Sequence, residues 1–166
     1  MHRMISLGGF VLLLLLALPV LAEQVAPVFD ATQPIEISSQ RLEAWQDERK
    51  SVFTGAVVAK QGDMTLQADS LTVLFAAQQN QVEQLDAVGD VRLHQLERTA
   101  TADRAVYQRQ AGTLVLTGDA VVEQGGNRIA GEQITLFVGE NRSLVKGSKQ
   151  QRVKAFIVPN QVQEEP

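Results

Sequence analysis

The chain has 166 residues, 45% of them hydrophobic and only 5% aromatic, with no cysteine and a formal net charge of −4. The acidic balance argues against nucleic acid as a partner, which calls for a basic patch. The missing cysteines exclude a disulfide scaffold and a lipid-modified N-terminal cysteine, so the fold must stand on its apolar core alone.

His2 and Arg3 precede an apolar run from Ile5 to Leu18, which meets Pro19-Val20-Leu21-Ala22. That run is short for a bilayer span and ends at a small residue, the pattern of a secretory signal peptide cut after Ala22 rather than of a transmembrane anchor. The expected plan is a cleaved signal over 1–22, an N-terminal extension over 23–33, one β domain over 34–159 and a short disordered tail over 160–166. The 144 residues after Ala22 suffice for one domain with a substantial core. Losing Arg3 with the signal leaves 14 basic against 19 acidic residues, a net charge of −5.

Ile35-Glu36-Ile37 follows Pro34, a residue without an N–H that suits the margin of a sheet. Ile37-Ser38-Ser39-Gln40-Arg41-Leu42 lines up with Leu66-Gln67-Ala68-Asp69-Ser70-Leu71. From there a glycine and a carboxylate recur fourteen residues apart three times, as Gly55 to Asp69, Gly89 to Asp103 and Gly118 to Glu132. Gly147 repeats the 29-residue step from Gly89 to Gly118, but the residues after it match poorly. The chain therefore predicts three full repeats of about 30 residues between two partial ones. Only 41–49 is polar enough to fit a helix as well as a strand.

Apolar residues alternate within each repeat, which predicts strands with one buried face. Around the glycines one parity holds: Phe53, Val57 and Ala59; Leu85, Ala87, Val91 and Leu93; Leu114, Leu116, Ala120 and Val122. The glycine shares that parity, so a bend or a close approach on the inward face is expected there. In the second strand of each repeat the parity flips at the carboxylate. Leu66 and Ala68 give way to Leu71, Val73 and Phe75; Ala100 and Ala102 to Ala105 and Tyr107; Ile129 and Gly131 to Ile134, Leu136 and Val138. An extended strand cannot swap faces without a bulge or corner. The predicted fold is therefore all-β, with long strands that turn a corner between two facing sheets. Tight turns are expected at 61–63, 95–98 and 124–127 within repeats, and at 46–50, 76–81, 108–112 and 139–142 between them. The apolar run Ala155-Phe156-Ile157-Val158 closes against Pro159.

Catalytic and metal chemistry fare poorly by inventory. After residue 22 there is one histidine, His94, on the parity opposite Leu93, and neither a nucleophile-elbow nor a phosphate-loop pattern. No cofactor and no resident metal are expected. Asp69, Asp103 and Glu132 are the one set that could suggest a carboxylate pair, as in glycosidases. Equivalent corners of tandem repeats give them equivalent environments, however, whereas acid–base work needs two that differ. An outward structural row is expected instead. The inward face, with Ile35, Ile37, Phe53, Val57, Leu66, Leu71, Val73, Phe75, Leu93, Leu114, Leu116, Ile129, Ile134 and Leu136, is an ordinary core or an apolar trough for alkyl chains. An exported β-repeat protein with a structural or adhesive role and no lipid cargo fits the same pattern.

Four segments then point to a family. They are Asp30 to Ser39, the strand Phe53-Thr54-Gly55-Ala56-Val57, the strand Leu116-Thr117-Gly118-Asp119-Ala120 leading to Ile129-Ala130-Gly131-Glu132-Gln133-Ile134-Thr135, and the ending Arg152 to Pro159. In this order and spacing they resemble the OstA-like family of periplasmic lipopolysaccharide-transport proteins over nearly all of the mature chain. The resemblance implies an antiparallel β-jelly roll, a trough of two facing sheets open at both ends, which holds the acyl chains of lipopolysaccharide and is not an enzyme. It implies end-to-end self-association, with an inner-membrane-anchored LptC-like protein and an outer-membrane LptD-like translocon as partners. Carried over position by position, it puts Ile35, Ile37, Leu93 and Tyr107 on the trough lining. It leaves Ile35 and Ile37 at one edge and Val153, Ala155, Phe156, Ile157 and Val158 at the other, for β-augmentation.

Overall fold

The computed structural model describes residues 33–77, 81–140 and 142–159. The expected signal peptide over 1–22, most of the expected 23–33 extension and the expected 160–166 tail lie outside the described residues. Those described form ten strands and no helix: β1 (Glu36–Ser38), β2 (Arg41–Trp45), β3 (Lys50–Gln61), β4 (Met64–Phe75), β5 (Val82–Gln95), β6 (Arg98–Gln108), β7 (Thr113–Gln124), β8 (Asn127–Phe137), β9 (Arg142–Lys146) and β10 (Lys154–Phe156). The segment 41–49, which fitted either element, is strand β2 followed by a turn.

All ten strands belong to one antiparallel sheet in the order β1-β3-β4-β5-β6-β7-β8-β10, with β2 also on β3 and β9 also on β8. The two facing layers expected from the parity flip are thus two halves of the same long strands. A single row of residues divides them. At that row Thr54 pairs with Ser70 and the next pair is Val57 with Ala68, so Gly55 and Ala56 stand opposite Asp69 alone. In the same way Gly89 and Asp90 oppose Asp103, and Gly118 and Asp119 oppose Glu132. Each is a β-bulge of two residues against one, which bends its strand.

Both bulge residues are left-handed: φ is 84° and 46° at Gly55 and Ala56, 86° and 43° at Gly89 and Asp90, and 79° and 43° at Gly118 and Asp119. A side chain in that region costs about 1–2 kcal/mol, which explains a glycine at the first position. Sequence parity placed these glycines inward, and this is corrected by the structure. Two successive left-handed residues leave the strict alternation, and the close approach is to the exposed row. A Cβ on Gly89 would overlap the side chain of Asp69, and one on Gly118 that of Asp103, with the Asp Cβ atoms at 2.8 and 2.7 Å. Gln40, in the break between β1 and β2, fills the same place against Gly55, as its alignment with Asp69 suggested. Gly147 instead lies against the backbone of Gln151 and Val153, in the loop between β9 and β10, so the fourth repeat has no such bulge.

The row separates a hairpin half, ending in the tight turns at 62–63, 96–97 and 125–126, from a loop half, ending in the longer connections. One apolar cluster spans both halves. Val57, Leu66 and Val91 contribute from the hairpin half, and Leu71, Val73, Leu116 and Ile134 from the loop half. The sheet therefore folds over at the row and buries its concave face against itself.

Candidate functional site

The concave interior is the candidate site. Of the sequence-predicted lining residues, Val57, Leu66, Leu71, Val73, Tyr107, Leu114, Leu116 and Ile134 are buried. Ile35, Ile37, Phe53, Phe75, Leu93 and Leu136 are partly buried and pack against that core. Ile129 is half-buried in β8, cross-strand from Ala155 of β10, and stands apart from the cluster. Sequence reasoning overlooked Met64, which lies beside the hairpin turn, where alternation is hardest to read.

Between the halves lies an apolar cavity of about 30 Å³, lined by Met64, Leu66 and Leu93 of the hairpin half and by Leu85, Ala87, Ala105, Tyr107 and Leu114 of the loop half. Residues from both halves around one space establish that the two faces oppose each other. That volume holds no more than about one or two water molecules. Alanine explains how closely the halves approach: among the described residues, seven of the eighteen buried apolar side chains are alanines.

No charged residue is among the fully buried described residues. Among the described residues the buried polar side chain is Gln61, at the hairpin end, whose Nε2 donates to the Gln33 carbonyl at 3.0 Å. Across the outer face of the loop half, Arg104 donates from Nε and Nη2 to the two carboxylate oxygens of Asp86 at 2.8 and 2.6 Å. That hydrogen bond, and then the charge of Asp86, push the Arg104 guanidinium above its ordinary range. Burial pushes the Tyr107 hydroxyl up, opposed by the nearby Arg109 charge. Asp69, Asp103 and Glu132 are all exposed and form the expected outward row. His94 is exposed as well.

The edges differ in character. β1 and β10 end the strand order, each hydrogen-bonded on one side. Ile35 and Ile37 turn toward the core, so β1 presents backbone rather than apolar side chains. At the other edge Val153, Phe156, Ile157 and Val158 are 46–71% exposed, and Ala155 is exposed too. β10 is shorter than the apolar run predicted: the strand ends at Phe156, and the Val158 amide donates to Asn127 Oδ1 at 2.8 Å.

A single antiparallel sheet, folded over an apolar interior and open at both ends, defines a β-jelly roll of the trough type. A family model described as "LptA/(LptD N-terminal domain) LPS transport protein" matches residues 36–142, from the first strand to the start of β9. The chain belongs to this family. It is 29% identical over 161 residues to the lipopolysaccharide export system protein LptA of Escherichia coli K12, covering 91% of this chain and 86% of that protein. Identity to LptA of Haemophilus influenzae is also 29% over 161 residues, covering 92% and 94% of the two chains. The crystal structure of LptH, described as the LptA-homologous periplasmic component of the lipopolysaccharide transport device of Pseudomonas aeruginosa, superposes with a TM-score of 0.71. It is 23% identical over 78% of this chain and 99% of that one, a likeness of fold.

Proposed function

We propose that this chain is a periplasmic lipopolysaccharide-binding bridge without catalytic activity. It shields the acyl chains of lipopolysaccharide in its concave interior and passes the lipid from the inner membrane to the outer-membrane translocon. In this reading residues 1–22 are a signal peptide cut after Ala22, 23–33 an extension, 34–159 the jelly roll and 160–166 a tail. The observation that carries it is an interior lined from both halves by apolar side chains and the ring of Tyr107, within a family of lipopolysaccharide-transport proteins. Several acyl chains need a continuous apolar conduit, and stacked equivalent repeats supply one.

Photocrosslinking from Leu93, Tyr107 and Leu136 tests the cargo assignment, with the exposed Thr101 as the outward control. Lipopolysaccharide is expected to label from the three inward positions and not from Thr101. Equal labelling from both faces, or none, would favour a structural repeat protein without lipid.

Assembly runs through the free edges, β1 with Ile35 and Ile37 on one side and the stretch from Val153 to Val158 on the other. These meet end to end in a second copy, in an LptC-like protein at the inner membrane and in the LptD-like translocon. Phe156 and Ile157 are 64% and 71% exposed, so replacing both with lysine should change the monomer by less than about 0.5 kcal/mol each. Lysines on an edge strand oppose strand addition. The double variant is expected to keep the parent thermal midpoint while losing concentration-dependent growth in size by light scattering. Retained growth would remove this edge from the proposed interface.

A further inference from the structure

Arg109 stands just past the end of β6, on the parity of Ala105 and Tyr107, both of which line the interior cavity. Its amide donates to the Glu83 carbonyl at 3.0 Å, and its own carbonyl accepts from Gly112 at 3.1 Å, so the backbone is held in a tight turn at the loop end of the fold. The side chain is half-buried, and its Nε is buried without a hydrogen-bond partner. None of the ion pairs among the described residues involves Arg109, although Glu83 is its cross-strand neighbour. Its charge reaches the Tyr107 hydroxyl and opposes the upward shift that burial gives that group.

A buried guanidinium donor left unsatisfied costs stability, and such groups persist where a ligand completes them. Arginine offers a planar fork of donors that fits the oxygens of a phosphate. Arg109 follows Ala105 and Tyr107, two residues of the apolar cavity lining, at the loop end of the same strand, so an anion held there fits a molecule whose other part is apolar.

We infer that Arg109 is a headgroup-binding residue, which receives a phosphate of an amphiphile whose acyl chains enter the concave interior. The inference rests on the proposed lipid-carrying function and adds the polar half of the site. It also makes Arg109 a residue held for binding at a cost in stability.

The test uses the full mature chain and three probes: diphosphoryl lipid A, the same lipid without its phosphates, and inorganic phosphate alone, each read by displacement of a fluorescent acyl probe. The parent should bind the phosphorylated lipid about tenfold more tightly than the phosphate-free one and show no saturable response to inorganic phosphate. Arg109→Met keeps the aliphatic stem, and it should bind both lipids alike, at the parent's affinity for the phosphate-free form. Arg109→Lys should retain part of the preference. Arg109→Met should also have a thermal midpoint no lower than the parent, because it removes an unpartnered donor; a clear fall would mark a structural arginine and overturn the inference. An unchanged preference for the phosphorylated lipid in Arg109→Met would overturn it as well, as would saturable binding of inorganic phosphate alone. If the parent binds neither lipid, the transport reading itself fails and the inference falls with it.

Discussion

Replacing Gly118 with alanine is expected to lower the thermal midpoint by roughly 10 °C, an effect of about 3 kcal/mol in a domain of this size. Two costs combine. A side chain at φ 79° meets the penalty of the left-handed region. The added Cβ also falls 2.7 Å from both Cβ and Cγ of Asp103 and overlaps its Oδ2. Because Asp103 Cβ is fixed to the backbone of β6, rotating the carboxylate away relieves only part of the clash. Asp103→Ala should therefore not rescue the variant, whereas Asp103→Gly should recover the steric share and leave the dihedral share, a non-additivity that a double-mutant cycle measures. Gly125→Ala sets the scale for the dihedral cost alone, since φ is 56° and nothing lies within 4 Å; it should cost about 1–2 kcal/mol. Equal losses at Gly118 and Gly125 would remove the role given to the carboxylate row.

The carboxylate row shows which parts of the fold are legible in the sequence. The flip from Leu66 and Ala68 to Leu71 and Val73 was legible, because a side-chain period of two cannot hide a phase slip. That flip correctly placed a corner at Asp69, Asp103 and Glu132. Alternation reports faces but not hydrogen bonds, so it could not tell that both layers are one sheet continuous through the corner. The fourteen-residue spacing is the trip from the corner around a hairpin and back, joining a glycine to the carboxylate across its own bulge. The glycine that each aspartate crowds belongs to the next strand, 20 residues on for Asp69 and 15 for Asp103. That interval changes with the length of the intervening turn, so it leaves no periodic trace.

The interior was legible in membership and not in state. Its apolar residues follow from alternation, but whether the halves stand apart depends on side-chain volume at opposed positions. Ala87 and Ala105 let Leu66, Leu93 and Leu114 close the space between the layers. Arg109 carried a sequence signal in the break it makes after Ala105 and Tyr107. One polar residue at a strand end is ordinarily a turn residue, and only its buried, unpartnered Nε distinguishes it.

Leu116→Ala is expected to move stability and cargo affinity in opposite directions. Leu116 is fully buried in β7, paired across the sheet with Ala105 on one side and Ile134 on the other. Truncation should cost about 3–4 kcal/mol, part of it the transfer of the lost methyl groups and part the cavity left behind. A cavity of about 30 Å³ is far below the several hundred Å³ of an ordinary ligand site, so under the proposed function the two halves part to admit the acyl chains. Work spent on parting lowers the apparent affinity by the fraction of molecules that are open. In the loaded state fluid chains fill whatever space the truncated side chain leaves, so the transfer term remains and the cavity term disappears. The variant should therefore melt roughly 10 °C lower and bind lipid A about tenfold more tightly, a gain of about 1.4 kcal/mol. Leu144→Ala, at a position 42% exposed, should change neither quantity. Weaker binding by Leu116→Ala would mean that the acyl chains occupy space already open, in which this side chain serves only as a contact, and the halves would then not part to receive the lipid.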